Sequence, residues 1–99
     1  MIRHRLLRLR HGHENVGFLS ACLTVEDPPE NRDWLLSVES PSPLDLFREF
    51  LVRGVPMSVN MVTRDGDTFR GEAYVSSLSE AARGTSLVAL AGAGPLRPS

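Results

Sequence analysis

The stretch from Trp34 to Leu96 constrains the fold most, because its local signals come in a fixed order. DWLLSVES, SPLDLFREFLVRG, VPMSVNMVTRDGDTFRGEAYVSSL and TSLVALAGAGPL read as strand, capped helix, β-hairpin and strand. Over 34–39, Trp34, Leu36 and Val38 share one face of a strand. The helix is predicted over 43–53. Ser42 is the expected cap, Pro43 fits the first turn, and Asp45 sits near the positive end of the dipole. Leu44, Phe47 and Leu51 make one stripe, widened by Leu46 and Phe50. Gly54 is the expected left-handed stop, and Pro56 forbids continuation. A helix of about three turns that is apolar on one side must pack on the sheet. Leu46, Phe47, Phe50 and Leu51 are therefore expected in the core with Trp34, Leu36, Val59 and Met61.

The hairpin register follows from parity. Met57, Val59 and Met61 are odd-numbered and apolar, as are Phe69, Ala73 and Val75. Paired residues share a face, so odd must pair with odd. A two-residue loop at Asp65-Gly66 would set Val59 against Glu72. A three-residue loop avoids this, with Gly66 supplying positive φ at a bulge. Gly71 marks a bend or a close backbone approach.

The rest is less ordered in its signals. Leu19, Ala21, Leu23 and Val25 alternate with Phe18, Ser20, Cys22 and Thr24, which predicts a strand. EDPPENRD (26–33), HGHENVG (11–17) and SEAARG (79–84) read as loops or turns. Thr85 to Ala91 is the last strand, and 97–99 a loose tail. Residues 1–13 place Ile2, Leu6 and Leu9 at helical spacing without strict alternation. A strand, a basic helix and an arm that orders against a partner all fit. The expected organisation is one domain over 1–99, with 14–96 a small β-sandwich or barrel flanked by helix 43–53.

Charge is uneven along the chain. The net charge is -1, yet residues 1–13 hold Arg3, Arg5, Arg8 and Arg10 with no acid. The remainder carries seven arginines against twelve acids, a balance of -5. There is no lysine. Arginine suits bidentate recognition of carboxylate or phosphate, although GC-rich codon usage also produces this composition. One cysteine cannot form an internal disulfide, and no run approaches the ~18 apolar residues of a membrane span.

Catalytic patterns are weak. His11-Gly12-His13-Glu14, with His4 nearby, has ligand types suited to a metal, but Gly12 points to a loop, and the expectation is no metal or other cofactor. Cys22 sits in an alternating strand, where a buried thiol is the ordinary reading. No Gly-x-Ser-x-Gly elbow or phosphate loop is present. Asp27, Glu30, Asp33, Asp65 and Asp67 fall in predicted loops, where solvated carboxylates belong. The expectation is a chain that is not an enzyme.

WLLSVES, PLDLFREFLVRGVPMSVNMV, FRGEAYVSSL and LVALAGAGPL together resemble the tail tube (major tail) proteins of long-tailed bacteriophages, over roughly residues 34–96. The resemblance implies a β-sandwich or small barrel beside one helix. It also implies a virion subunit whose copies form rings, stacked or single, around a channel for DNA, in contact with other tail proteins. The chain is short for a tube subunit, so a terminator, connector or baseplate ring of the same fold is also implied. Asp65-Gly66, at the hairpin tip, falls near subunit contacts in that family. Arg3, Arg5, Arg8 and Arg10 are the expected intersubunit arm. The alternative is an Sm-like ring-forming RNA-binding protein, which the helix followed by DGDTFRG also resembles. Assembly has a physical motive in either case. About 65% of the unfolded surface is buried by a chain this size. Open sheet edges with few defences invite pairing with further copies.

Overall fold

A computed structural model describes the backbone of residues 1–99 and every side chain except that of Ala82. The elements are β1 (Ile2–His11), β2 (Glu14–Val16), β3 (Ser20–Val25), β4 (Trp34–Glu39), α1 (Leu44–Arg53), β5 (Met57–Thr63), β6 (Thr68–Glu80), β7 (Ser86–Gly92) and β8 (Arg97–Pro98). All pairings are antiparallel. The order β1-β3-β4-β7-β6-β5 returns to β1 through a β1–β5 ladder, so six strands close into a barrel. The chain is mainly β with one helix, a small barrel flanked by α1.

Closure overturns the expectation of unfinished sheet edges. The β1–β5 ladder joins Leu6 to Thr63 and Arg10 to Asn60, and so removes the two long edges that further copies were expected to complete. The three-residue β2 extends the edge of β1 beyond β3, and β8 covers part of β6.

Residues 1–13 form strand β1 and its turn into β2. Their broken periodicity has a physical cause. The β1–β5 register shifts between Leu6 and Arg8, which is a one-residue bulge. Leu6 and Leu9 differ in parity, yet both are buried. The bulge likewise turns Arg3 and Arg5, then Arg8 and Arg10, to the same outer face. HGHENVG is not a continuous loop: Leu9 to His11 pair with Val16 to Glu14 across a turn at Gly12-His13.

The barrel interior holds Leu23, Leu36, Val38, Val59, Met61, Val88 and Leu90. The hairpin pairs Met57 with Ala73, Val59 with Gly71 and Met61 with Phe69, odd with odd. Its turn spans 64–66, closed by the Thr63 N–H to the Asp67 carbonyl at 2.8 Å, with Gly66 at φ 92°. Trp34 lies inside, against β6 and β7. A methyl on Gly71 would come 2.8 Å from its ring, and one on Gly92 would overlap its Nε1. The two glycines thus give the indole its room, and its N–H donates to the Gly94 carbonyl at 2.8 Å.

Helix α1 packs on β6 through Phe47, which is fully buried, with Leu44, Leu46 and Phe50 around it. Leu51 was expected in the core but is exposed, because the buried arc is centred on Phe47. Ser42 is not the cap. Its backbone forms a two-bond bridge with Gly17 at 2.9 and 2.8 Å, and Pro43 takes the cap position in extended conformation. Gly54 ends the helix at φ 66°. Leu19 is also solvent-exposed, because β3 begins only at Ser20, and the predicted turn at 79–84 starts two residues late because β6 runs to Glu80. The predicted tail is held: Leu96 is buried and Arg97 pairs with Arg70.

Candidate assembly surface

The outer face of β1 carries Arg3, Arg5, Arg8 and Arg10, all exposed. Alternate residues on a strand stand about 6.6 Å apart, so this column runs most of the barrel's length. Arg64, at the hairpin turn, joins it, since its N–H donates to the Arg5 carbonyl at 2.9 Å. The sequence-predicted interface residues are therefore contiguous. Arg64-Asp65-Gly66 forms the tip that rests beside the β1 column, although the two segments are some fifty residues apart in the chain. The bulge leaves Leu7 exposed within the column.

The column continues around the barrel. Arg10 pairs with Asn60, Asn60 with Arg70, and Arg70 with Arg97, which puts these side chains on one outward row. Strands lie about 4.8 Å apart, so the row has a basic group at three of four steps. Sequence reading missed Arg70 and Arg97. The signal for Arg70 was the hairpin parity, which sets it outward beside Asn60; the pairing of Arg97 had no local signal.

These arginines have no ion-pair partner among the described residues. The ion pairs among the described residues are Arg48 with Asp45, Arg48 with Glu80, and Arg53 with Glu49, all on or beside α1. The nearby acids, none within ion-pair distance, are Glu39 in the depression shared with Arg5 and Arg64, Glu14 on β2, Asp65 and Asp67 at the hairpin, and Glu72 on β6. A shallow depression of about 220 Å³ is lined by Arg5, Arg64, Ser20, Cys22, Glu39 and Leu87, among others. Cys22 is only half-buried there, on the outer face rather than in the core.

The β3–β4 loop carries four acids, Glu26, Asp27, Glu30 and Asp33, against one exposed cation, Arg32. Glu26, Glu30 and Asp33 are exposed. The loop is internally pinned: the Asp27 carboxylate accepts the N–H groups of Arg32 and Asp33 at 3.1 and 2.9 Å. The Glu26 N–H reaches the Asp33 carbonyl at 2.9 Å, and the Leu96 N–H reaches that of Asn31 at 2.8 Å. Asp27 is thus a structural carboxylate.

The histidines are dispersed. His4 faces inward, its ring 5.5 Å from that of Phe69. His11 lies edge-on to Phe50 at 5.2 Å, and its Nδ1 bonds the Ser58 carbonyl at 2.8 Å. A carbonyl only accepts, so that nitrogen carries the proton. His13 is in the turn after β1. Among the described residues, no three His, Cys, Asp or Glu side chains converge as ligands would. No helix among them is long and apolar enough to cross a membrane.

A crystal structure of a hypothetical protein from Staphylococcus aureus has a similar fold. It superposes with a TM-score of 0.72 at 14% sequence identity, over the whole of this chain and 71% of that one. The likeness is one of fold. No family model matches the chain. No curated protein matches it.

Proposed function

We propose that the chain is a non-catalytic structural subunit whose copies form a ring in a phage tail or tail-like particle, as tube, terminator or connector. The ring encloses a channel through which DNA passes without sequence-specific contact, and the protein's place is the virion. The observation that carries this reading is the order of elements: β4, α1, the β5–β6 hairpin and β7 build a barrel beside a single helix. That is the order and architecture the tail-tube resemblance implies. Because the barrel is closed, copies meet through side chains on outer walls, not by pairing strand edges. The contiguity of Arg3, Arg5, Arg8 and Arg10 with the Arg64–Gly66 tip supports such a wall.

Negative-stain microscopy and light scattering of the purified protein test this reading. Closed rings or short stacks are the expected result. A monomer at millimolar concentration in low salt overturns it.

A further inference from the structure

We propose that the β1 arginine wall of one copy docks on the acidic β3–β4 loop of the next, in a head-to-tail contact. The proposal rests on the ring-forming reading and names its interface. The wall presents exposed guanidinium groups that have no ion-pair partner among the described residues. The loop presents Glu26, Glu30 and Asp33, likewise unpaired among them.

The charge balance decides what the wall fits. The chain as a whole carries -1, so the seven arginines of the wall and its extension are offset elsewhere on the same molecule. A surface segregated in this way complements another copy of itself, whereas a phosphate polymer would meet the acidic remainder as well. The wall's chemistry points the same way. Leu7 supplies exposed apolar area within it. The column has no aromatic side chain on which an unpaired base would stack. Guanidinium groups suit carboxylates bidentately and lose less ordering freedom per bond than ammonium groups. The loop's internal bonds fix its backbone before docking, which lowers the ordering cost of association.

The two surfaces lie on different parts of the barrel. The wall runs along the barrel's side, and the loop caps the end where Ile2 pairs with Val25. Made head-to-tail, the contact leaves each copy with one of each surface still free, and it closes into a ring where the rotation between copies allows; a two-fold dimer that uses both surfaces at once is the outcome that the size of the assembly distinguishes.

A charge swap tests the pairing. One variant is Arg8→Glu/Arg10→Glu and the other Glu30→Arg/Asp33→Arg; all four side chains are exposed. Light scattering follows assembly, and thermal melts confirm that each variant is folded. The expected result is wild-type assembly beyond the dimer that weakens with added salt. Each folded variant alone loses it, and an equimolar mixture regains it in part as an alternating complex. Wild-type rings that survive both substitutions overturn this interface and leave the ring reading standing. Folded variants that stay monomeric when mixed overturn the pairing. A wild type that never assembles overturns both readings. A wild type that binds duplex DNA or an RNA oligonucleotide in the same buffer, with binding lost in the Arg8→Glu/Arg10→Glu variant and assembly unchanged, reassigns the wall to nucleic acid.

Discussion

At the Trp34 end of the barrel, the indole lies against the bare backbone of Gly71 and Gly92, and its N–H is bonded to the Gly94 carbonyl. On the outer wall of β1, four arginines share a face and none has a carboxylate within ion-pair distance among the described residues. The first region pairs the side-chain polar atom it buries. The second leaves strong donors to water, about 6.6 Å from one another. Interior order therefore accounts for folding, and the wall adds nothing to it that the chain itself supplies. Changes at the two places should separate cleanly: the first moves stability, the second moves association.

The largest effect is expected at Trp34. Trp34→Ala removes a fully enclosed indole and leaves two glycines lining the void. We expect a loss of about 3–5 kcal/mol in urea unfolding. A loss below 1 kcal/mol would mean that the end collapses freely, and the contrast with the wall would lose its basis. Gly92→Ala comes next. A methyl there meets the indole, which cannot swing away without giving up its bond to Gly94. Overpacking of this kind costs about 1–3 kcal/mol. Gly71→Ala should cost less, because its methyl would contact a ring carbon at 2.8 Å and leave the N–H bond intact.

Trp34 also shows what was legible in the sequence. Its strand, the helix stop at Gly54 and the parity of the hairpin follow from signals within a few residues of each other, and each matches the structure. Barrel closure was not legible. It depends on β1 meeting β5 some fifty residues away, and nothing local marks β1 as a strand. Its bulge placed Leu6 and Leu9 three apart, which mimics a helix turn. Ser42 carried the right chemistry for a cap, but its bridge to Gly17 took its backbone elsewhere. For the candidate surface, the β1 arginines and the hairpin tip were named from sequence. Their adjacency and the outward row through Arg70 to Arg97 required the tertiary pairings.

Deleting Leu7 sharpens the comparison from within one strand. Without it, Arg5, Leu6, Arg8, Leu9 and Arg10 alternate strictly, so the inward leucines and outward arginines keep their faces. The β1–β5 register becomes continuous. We expect a folded barrel with stability changed by about 1 kcal/mol. The arginine column keeps its length, because Arg8 already pairs with Val62 next to the Leu6–Thr63 pair, but it loses its apolar residue. Assembly should weaken much more than folding. Unfolding on deletion would show that the bulge serves the barrel and not the wall.

The smallest effect on stability, and the most telling, lies between two kinds of arginine. Arg48 is half-exposed and bonded to Asp45 and Glu80. Arg48→Gln should cost about 0.2–1 kcal/mol, as exposed pairs do. Arg8→Gln/Arg10→Gln breaks no ion pair and removes a like-charge repulsion of roughly 0.6 kcal/mol in water before salt screening. The wall variant should therefore melt no lower than the wild type, and slightly higher at low salt, when both are compared as monomers. It should also lose the propensity to assemble that the Arg48 variant keeps. A wall whose removal stabilises the monomer while abolishing the oligomer is maintained for contact with something outside the chain. If instead the two variants melt alike and assemble alike, the arginines of β1 are ordinary solvated charges, and the distinction between the two faces disappears.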